Sequence, residues 1–282
     1  MHWQTARFRI DLSRPKVMGI VNVTPDSFSD GGRYASTRSA LAHCEELIAS
    51  GAHILDIGGE SSRPGTPPVS LDEERARVIP VLREATAFGI PVSVDTYKPE
   101  IMREALDLGA DIINDIWALR RDAALQAIAA HPACGVCIMH MHGEPQTMQR
   151  EPMKGDAVPQ VRKFLADRTR VMRESGIDAS RIAWDPGIGF GKTVQQNFAL
   201  LARQQELDTG HPLVIGWSRK SSLGQVTGLP VNERMAPSVA AAVLAVERGA
   251  HVVRVHDVKE TIAALKVREA MYASAAAVQG EE

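Results

Sequence analysis

A chain of 282 residues has room for one large domain or two small ones, and a composition of 44% hydrophobic and 23% charged residues excludes disorder, collagen and fibre. Lys plus Arg (32) nearly balance Asp plus Glu (34), and the net charge of −2 leaves no broad basic footprint for nucleic acid or an anionic membrane. Three cysteines cannot form a disulfide framework and suit a reducing compartment, so a cytoplasmic location is expected. The N-terminal MHWQTARFRIDLSRP has no apolar signal core, and no later stretch reaches the about 18 uninterrupted apolar residues of a membrane span.

Residues 1–15 read as an N-terminal extension, a small plug under the domain that follows. Apolar runs then alternate with helical periodicity: VMGIVNV (17–23) before 37–49, HILDIGG (53–59) before 72–87, PVSVD (91–95) before 99–108, and DIIND (111–115) before 121–131. The alternation continues with GVCIMHM (135–141) before 158–174, RIAWD (181–185) before 194–206, PLVIGWS (212–218) before 233–248, and HVVRVHDV (251–258) before 259–275. Eight such units with continuous apolar strands imply a parallel sheet buried on both faces. The expected fold is α/β, a (β/α)8 TIM barrel forming a single domain over 1–282, with 276–282 a frayed tail.

A weak repeat supports the barrel. Gly51-Ala52-His53-Ile54-Leu55-Asp56, Gly109-Ala110-Asp111-Ile112-Ile113-Asn114 and Gly249-Ala250-His251-Val252-Val253-Arg254 superpose, which places Asp56, Asn114 and Arg254 on one face and Asp115 and Val255 on the other. The strand-to-helix joints at 24–36, 60–71, 142–157 and 219–232 are long and the helix-to-strand joints are tight. Long loops gather at the C-terminal mouth of a barrel, where active sites form.

Polar residues collect at the strand ends: Asn22, Asp26, Asp56, Asp95, Asn114, His140, Asp185, Lys220, Arg254 and His256. Unpaired charges buried near one axis cost several kcal/mol each, so the cluster points to an enzyme acting on a polar ligand. DPGIGFGKT (185–193) is not a P-loop, because Pro186 stands where the first Gly is required. It reads as a glycine-rich turn letting backbone approach a flat ligand, with Asp185 pointing inward. Cys134 and Cys137 read as strand filler rather than a redox pair, and His140 with His142 lacks the further ligands of a zinc site.

MGIVNVTPDSFSDGG (18–32), LDIGGESSRPG (55–65), VSVDTYKPE (92–100), IND (113–115), MHMHGEP (139–145), DPGIGFGKT (185–193), GWSRKSSLG (216–224) and RVHDV (254–258) resemble, in order, the signature segments of the dihydropteroate synthases. The resemblance runs from residue 17 to 258. It implies a transferase of folate biosynthesis that condenses 6-hydroxymethyl-7,8-dihydropterin diphosphate with 4-aminobenzoate, releasing diphosphate.

By that resemblance, Asp185 reads the donor edge of the pterin, Asn114 and Asp95 meet the other ring nitrogens, and Lys220 donates to the pterin carbonyl. Met139, Phe190 and Gly216 are implied as further substrate contacts. Arg254 and His256 take the diphosphate, and Asn22 holds Mg2+, the one implied cofactor. The first loop, with Asp26 and Phe28, is a lid; Ser61 and Arg63 contact phosphate and aminobenzoate; Ser62, Pro64, Lys220 and Ser221 meet aminobenzoate. A homodimer is implied by the resemblance alone.

Some positions depart from the family pattern. Ser62 stands for Thr, Trp217 for Leu, Trp117-Ala118 for small residues, and Ser222 for a bulky residue whose loss would loosen the aminobenzoate pocket and with it sulfonamide affinity. Two other readings use the same pterin residues: a pterin-binding methyltransferase domain, and a catalytically silent pterin-binding paralogue.

Overall fold

The computed structural model describes residues 1–24, 32–61 and 65–279, with backbone alone at 32–35 and 275–279. The apolar runs form parallel strands β3 (Lys16–Asn22), β4 (Ile54–Gly58), β5 (Val92–Asp95), β6 (Ile112–Asp115), β7 (Gly135–Met139), β8 (Ile182–Asp185), β9 (Val214–Ile215) and β10 (Val252–Val255). Their order is β8-β7-β6-β5-β4-β3-β10-β9. One isolated parallel bridge, Trp184 to Leu213, with the Trp184 amide 2.8 Å from the Pro212 carbonyl, brings β8 back to β9 and closes the (β/α)8 barrel.

Helices α1 (Gly32–Ala49), α2 (Leu71–Ala85), α3 (Pro99–Asp107), α4 (Ala124–Ala130), α5 (Ala157–Glu174) and α6 (Val194–Ala202) follow β3 to β8 in turn. Capping fixes several starts: Ser70 accepts from Glu73 ahead of α2, Asp156 accepts from Val158 ahead of α5, and Thr193 with Gln196 makes a full capping box for α6. The joint at 219–232, expected as loop, contains a further helix, α7 (Ser221–Thr227), before α8 (Met235–Glu247). Two turns are too short to show as a period of apolar residues. Residues 276–279, expected to fray, continue α9 (Val258–Gln279), and 280–282 lie outside the described residues.

The first residues form an antiparallel hairpin, β1 (His2–Gln4) with β2 (Arg9–Asp11), pairing Trp3 with Ile10. Trp3, Ile10 and Leu12 pack against Met18, Ile54, Ile112, Cys137, Ala183, Val214 and Val252, the lowest inward tier of the barrel. Two residues further along the same strands the tier reads Ile20, Asp56, Asn114, Met139, Asp185, Gly216 and Arg254. The period of two therefore turns an apolar floor into a polar chamber in one step. Outward-facing residues of the same strands, such as Leu55, Ile113, Val253 and Val255, join the helices in the main core. The expected common face of Asp56, Asn114 and Arg254 is present, since both partners donate to Asp56 Oδ2.

The third position of the repeat has a role of its own. His53 Nδ1 accepts the Val17 amide at 3.1 Å while the His53 amide donates to the Val17 carbonyl at 2.8 Å. Asp111 makes the same reciprocal pair with Val92, and His251 with Leu213. These clasps start β3 against β4, β5 against β6, and β9 against β10. Each satisfies an amide that no ladder partner reaches.

Both clasping imidazoles accept at Nδ1 in their neutral form, and burial holds the pKa of His53 and His251 below the ordinary value. Stability from such groups is fully present above the unfolded value of about 6.5 and is lost as pH falls through it. The expected result is a falling unfolding free energy from pH 7.5 to 5, and a shallower fall in the His53→Asn, His251→Asn double variant. Denaturant titrations at each pH would refute the link if both proteins fell equally.

Candidate active site

The second inward tier brings together Asp56, Asp95, Asn114, Met139, Asp185 and Arg254 on five different strands and β10. The strand register explains the grouping: Asp95 pairs with both Gly58 and Asn114, and Met139 with Asp185. Arg254 is held by two carboxylates, Nε donating to Asp56 Oδ2 at 2.6 Å and a terminal nitrogen to Asp95 Oδ2 at 2.8 Å. Asn114 donates to the same Asp56 oxygen at 3.1 Å. Asp56 is fully buried and its other oxygen, Oδ1, has no partner among the described residues.

The charges perturb one another. Burial pushes the Asp95 carboxyl up to about 7 against the pull of Arg254, with Asp56 adding to the rise. Burial lowers the Arg254 guanidinium, but Asp56 and Asp95 outweigh it and hold the group firmly charged. Asp185 is buried, which raises its pKa, while the Gly187 amide donating to Oδ1 at 2.7 Å and the nearby Lys220 oppose the rise. Lys220 is brought down to about 8 by burial, with Asp185 opposing, and its ammonium lies 4.2 Å from the Phe190 ring centroid.

Lys220 precedes the first residue of α7, so Ser221 is exposed in that helix's first turn. His256 follows β10, and its ring Nδ1 lies 2.9 Å from Ser218 Oγ. Asn22, the last residue of β3, is half-buried at the mouth, and its amide makes no hydrogen bond among the described residues. Asp26, Phe28, Ser62, Arg63 and Pro64 lie outside the described residues. Ser61 lines a narrow gap running from Asp95 and Ile116 towards a cleft of about 440 Å³ walled by Glu60, Tyr97, Trp117 and Arg121. A larger cleft, about 510 Å³, sits on the outer flank against Trp184 and His211, away from these carboxylates.

The glycines of the turn are required by the protein itself: a Cβ on Gly187 would sit 1.9 Å from the His140 carbonyl oxygen and one on Gly191 2.2 Å from that of His142, both at positive φ. Gly189 faces the site residue Lys220, and Gly187 also lies against Met139. The turn is clamped by Lys192, whose role no linear motif shows. Its buried ammonium donates to the carbonyls of His140, Gly187 and Phe190 at 3.3, 2.8 and 3.1 Å, and burial brings its pKa down to about 7. Gly187→Ala is expected to cost at least about 2 kcal/mol, from the left-handed backbone and the clash together, and to weaken pterin binding through Asp185. Wild-type thermal stability in that variant would refute the account.

Ser222 corrects one expectation. It is buried behind the site, where its hydroxyl accepts from Asn197, whose own oxygen accepts the Gly189 amide at 2.8 Å. A bulky residue is not missing from the ligand pocket here; Ser222 ties α7 through α6 to the glycine turn. Trp217 likewise points outward and packs on Phe198, ring centroids 5.0 Å apart. His140 meets Phe164 edge-on, its pKa driven down to about 2 chiefly by burial, and Cys134 and Cys137 are buried free thiols in separate cores.

A sequence profile of a family described as pterin binding enzyme matches residues 18–256. The dihydropteroate synthase of Neisseria meningitidis serogroup B is 52% identical over 95% of this chain and 97% of that protein. The crystal structure of Burkholderia cenocepacia dihydropteroate synthase complexed with 7,8-dihydropteroate superposes with a TM-score of 0.89 at 50% identity, covering 97% of each chain. That of the Yersinia pestis enzyme with a sulfonamide drug complex gives 0.91 at 44% identity, covering 97% of this chain and 100% of the other.

Proposed function

Because the chain belongs to the dihydropteroate synthases, transferases of folate biosynthesis, we propose that its barrel mouth condenses 6-hydroxymethyl-7,8-dihydropterin diphosphate with 4-aminobenzoate through the residues gathered there. The observation that carries the residue assignment is Asp185: a buried carboxylate at a strand end, flanked by Lys220 and beside Met139 and Phe190. A pterin edge offers adjacent ring N–H and amino donors, and one carboxylate accepts both. Asn114 and Asp95 take the remaining ring nitrogens, Lys220 donates to the pterin carbonyl, and Gly216 leaves room beside Arg254.

The reaction is dissociative. The bond from the exocyclic CH2 to the diphosphate breaks, its electron pair leaving with the diphosphate, and the dihydropterin ring delocalises the resulting cation. The aminobenzoate nitrogen then forms the new C–N bond and loses a proton. Asp95 and Asp185 favour the cation electrostatically, while Arg254 and His256 hold the departing charge. Arg254 spends two N–H donors on Asp56 and Asp95, and its remaining donors bond no other described residue, which leaves them for the diphosphate.

Mg2+ fits the donor set in one limited way. The Asn22 amide oxygen is a hard ligand, and a single protein oxygen with substrate phosphates and water is how this ion commonly binds. Among the described residues no group of three His, Cys, Asp or Glu forms a metal cage. Bound there, Mg2+ would neutralise diphosphate charge. The test is dihydropteroate formation from the two substrates with Mg2+ and with chelator. Product formed equally well by wild type and by Asp185→Asn would overturn the residue assignment, and indifference to chelator would overturn the metal.

A homodimer is part of the same proposal. Among the described residues, apart from Met1, the strongly exposed large apolar residues, Val226, Val231, Met235, Leu244, Val267, Met271 and Tyr272, fall within α7 to α9 and the joint between α7 and α8. Such clustering marks an association surface, and monomeric mass by light scattering would refute it. Three buried free thiols support a cytoplasmic setting. No helix among the described residues is long and apolar enough to cross a membrane.

A further inference from the structure

We propose that Ser218 is a positioning residue that fixes the ring tautomer of His256, so that the nitrogen offered to the diphosphate carries a proton. This inference rests on the assignment of His256 to the diphosphate. Ser218 is buried just beyond β9, and its hydroxyl oxygen does two things at once. It accepts the backbone amide of His256 at 3.1 Å and lies 2.9 Å from the Nδ1 of the same residue. Ser218 has no other hydrogen bond among the described residues. Its hydroxyl proton therefore has one acceptor, His256 Nδ1, and a buried hydroxyl does not leave its proton unbonded.

The consequence follows from imidazole chemistry. A neutral ring has one donor nitrogen and one acceptor, and the bond made by one nitrogen sets the role of the other. With Nδ1 accepting from Ser218, Nε2 must carry the proton. Nε2 is the ring nitrogen that Ser218 does not engage, and by the assignment of His256 it is the one that meets the diphosphate. The opposite tautomer would present a lone pair to phosphate oxygens, a repulsion in place of a charge-assisted bond.

The backbone around Ser218 is built to hold this contact. Arg219 has a left-handed backbone with φ of +58°, and its guanidinium forms an ion pair with Asp257 at 2.6 Å. The residues after Ser218 and His256 are thus tied to each other. The Arg219 amide is held in turn by the Ser238 hydroxyl at 2.9 Å. A strained position kept in place by two contacts fixes where its neighbours point.

The experiment uses the full chain, with 15N-histidine labelling and three variants: Ser218→Ala, Ser218→Thr and His256→Ala. At pH 8.5, well above the ordinary imidazole pKa of about 6.5, the wild-type His256 ring is expected to show the Nε2–H pattern of nitrogen shifts. Ser218→Ala is expected to lose the pure pattern and to raise both the KM for the pterin diphosphate and the Kd for inorganic diphosphate about tenfold. The KM for aminobenzoate should stay put, and near-ultraviolet circular dichroism should report a folded barrel. Ser218→Thr, which keeps the hydroxyl, should restore the Nε2–H pattern and most of the affinity. An Nδ1–H ring in the wild type overturns the proposal, as does a folded Ser218→Ala protein with unchanged diphosphate affinity. If His256→Ala also leaves diphosphate affinity unchanged, the assignment of His256 itself has failed.

Discussion

Asp185→Asn is expected to abolish pterin binding while the barrel stays folded. Asparagine keeps an oxygen for the Gly187 amide, which now donates to Asp185 at 2.7 Å, so the local turn survives. The other half of the side chain becomes an NH2 group pointing at a pterin edge that is itself made of donors. Sites that satisfy buried donors discriminate by about 10⁴–10⁵ against the wrong pattern, far more than an apolar slot can. Loss of at least about 10³ in affinity is therefore expected by calorimetric titration. Near-wild-type affinity would sink the assignment. In the wild type, burial raises the Asp185 pKa, so pterin affinity should weaken on the acid side sooner than for a solvent-exposed carboxylate.

Arg254→Met is expected to damage stability and rate together. The guanidinium is the counter-charge of Asp56, which is fully buried, and of Asp95, which is mostly so. Removing it strands two carboxylates beside each other, and breaking a buried pair in this way costs about 3–5 kcal/mol. The variant can relieve part of that by taking up a proton. A carboxyl whose folded pKa lies above its unfolded value destabilises most where it would otherwise be ionised, so the deficit should grow from pH 5 to pH 8. Denaturant curves at those two pH values test the sign. The loss of an anion partner should separately lower kcat by about 10²–10³. An Asp56→Asn, Arg254→Met double variant that recovers stability but not rate would separate the two roles.

The barrel was readable because its eight strands are apolar on both faces and its polar residues break that pattern at one depth. Asp56, Asn114 and Arg254 came out of the repeat alone, and the structure bonds them together. What the sequence hid has physical reasons. Lys192 looked like part of a failed phosphate loop, because nothing in a linear motif says that an ammonium will be spent on three carbonyls of its own chain. Gly187 and Gly191 were legible as turn formers but not as faces pressed on His140 and His142, a relation between the segments that follow β7 and β8. The size of the Ser222 side chain does not tell which side of α7 it occupies, and it faces Asn197. The clasps of His53, Asp111 and His251 were visible as a repeated position, but one repeat held Asp where two held His. Only the shared ability to accept an amide unites them.

The clasps also imply an order of assembly. Three strand pairs begin with a reciprocal link to a neighbour close in sequence, the kind of contact that closes early because its loop is short. Between β8 and β9 there is one bridge, at Trp184 and Leu213, where the ring must come shut. A cylinder stitched tightly at three joints and lightly at one has a preferred place to unzip. Partial opening of this protein should begin at that joint, on the flank where Trp184 stacks on His211, so the molecule carries an indole at its own weakest fastening.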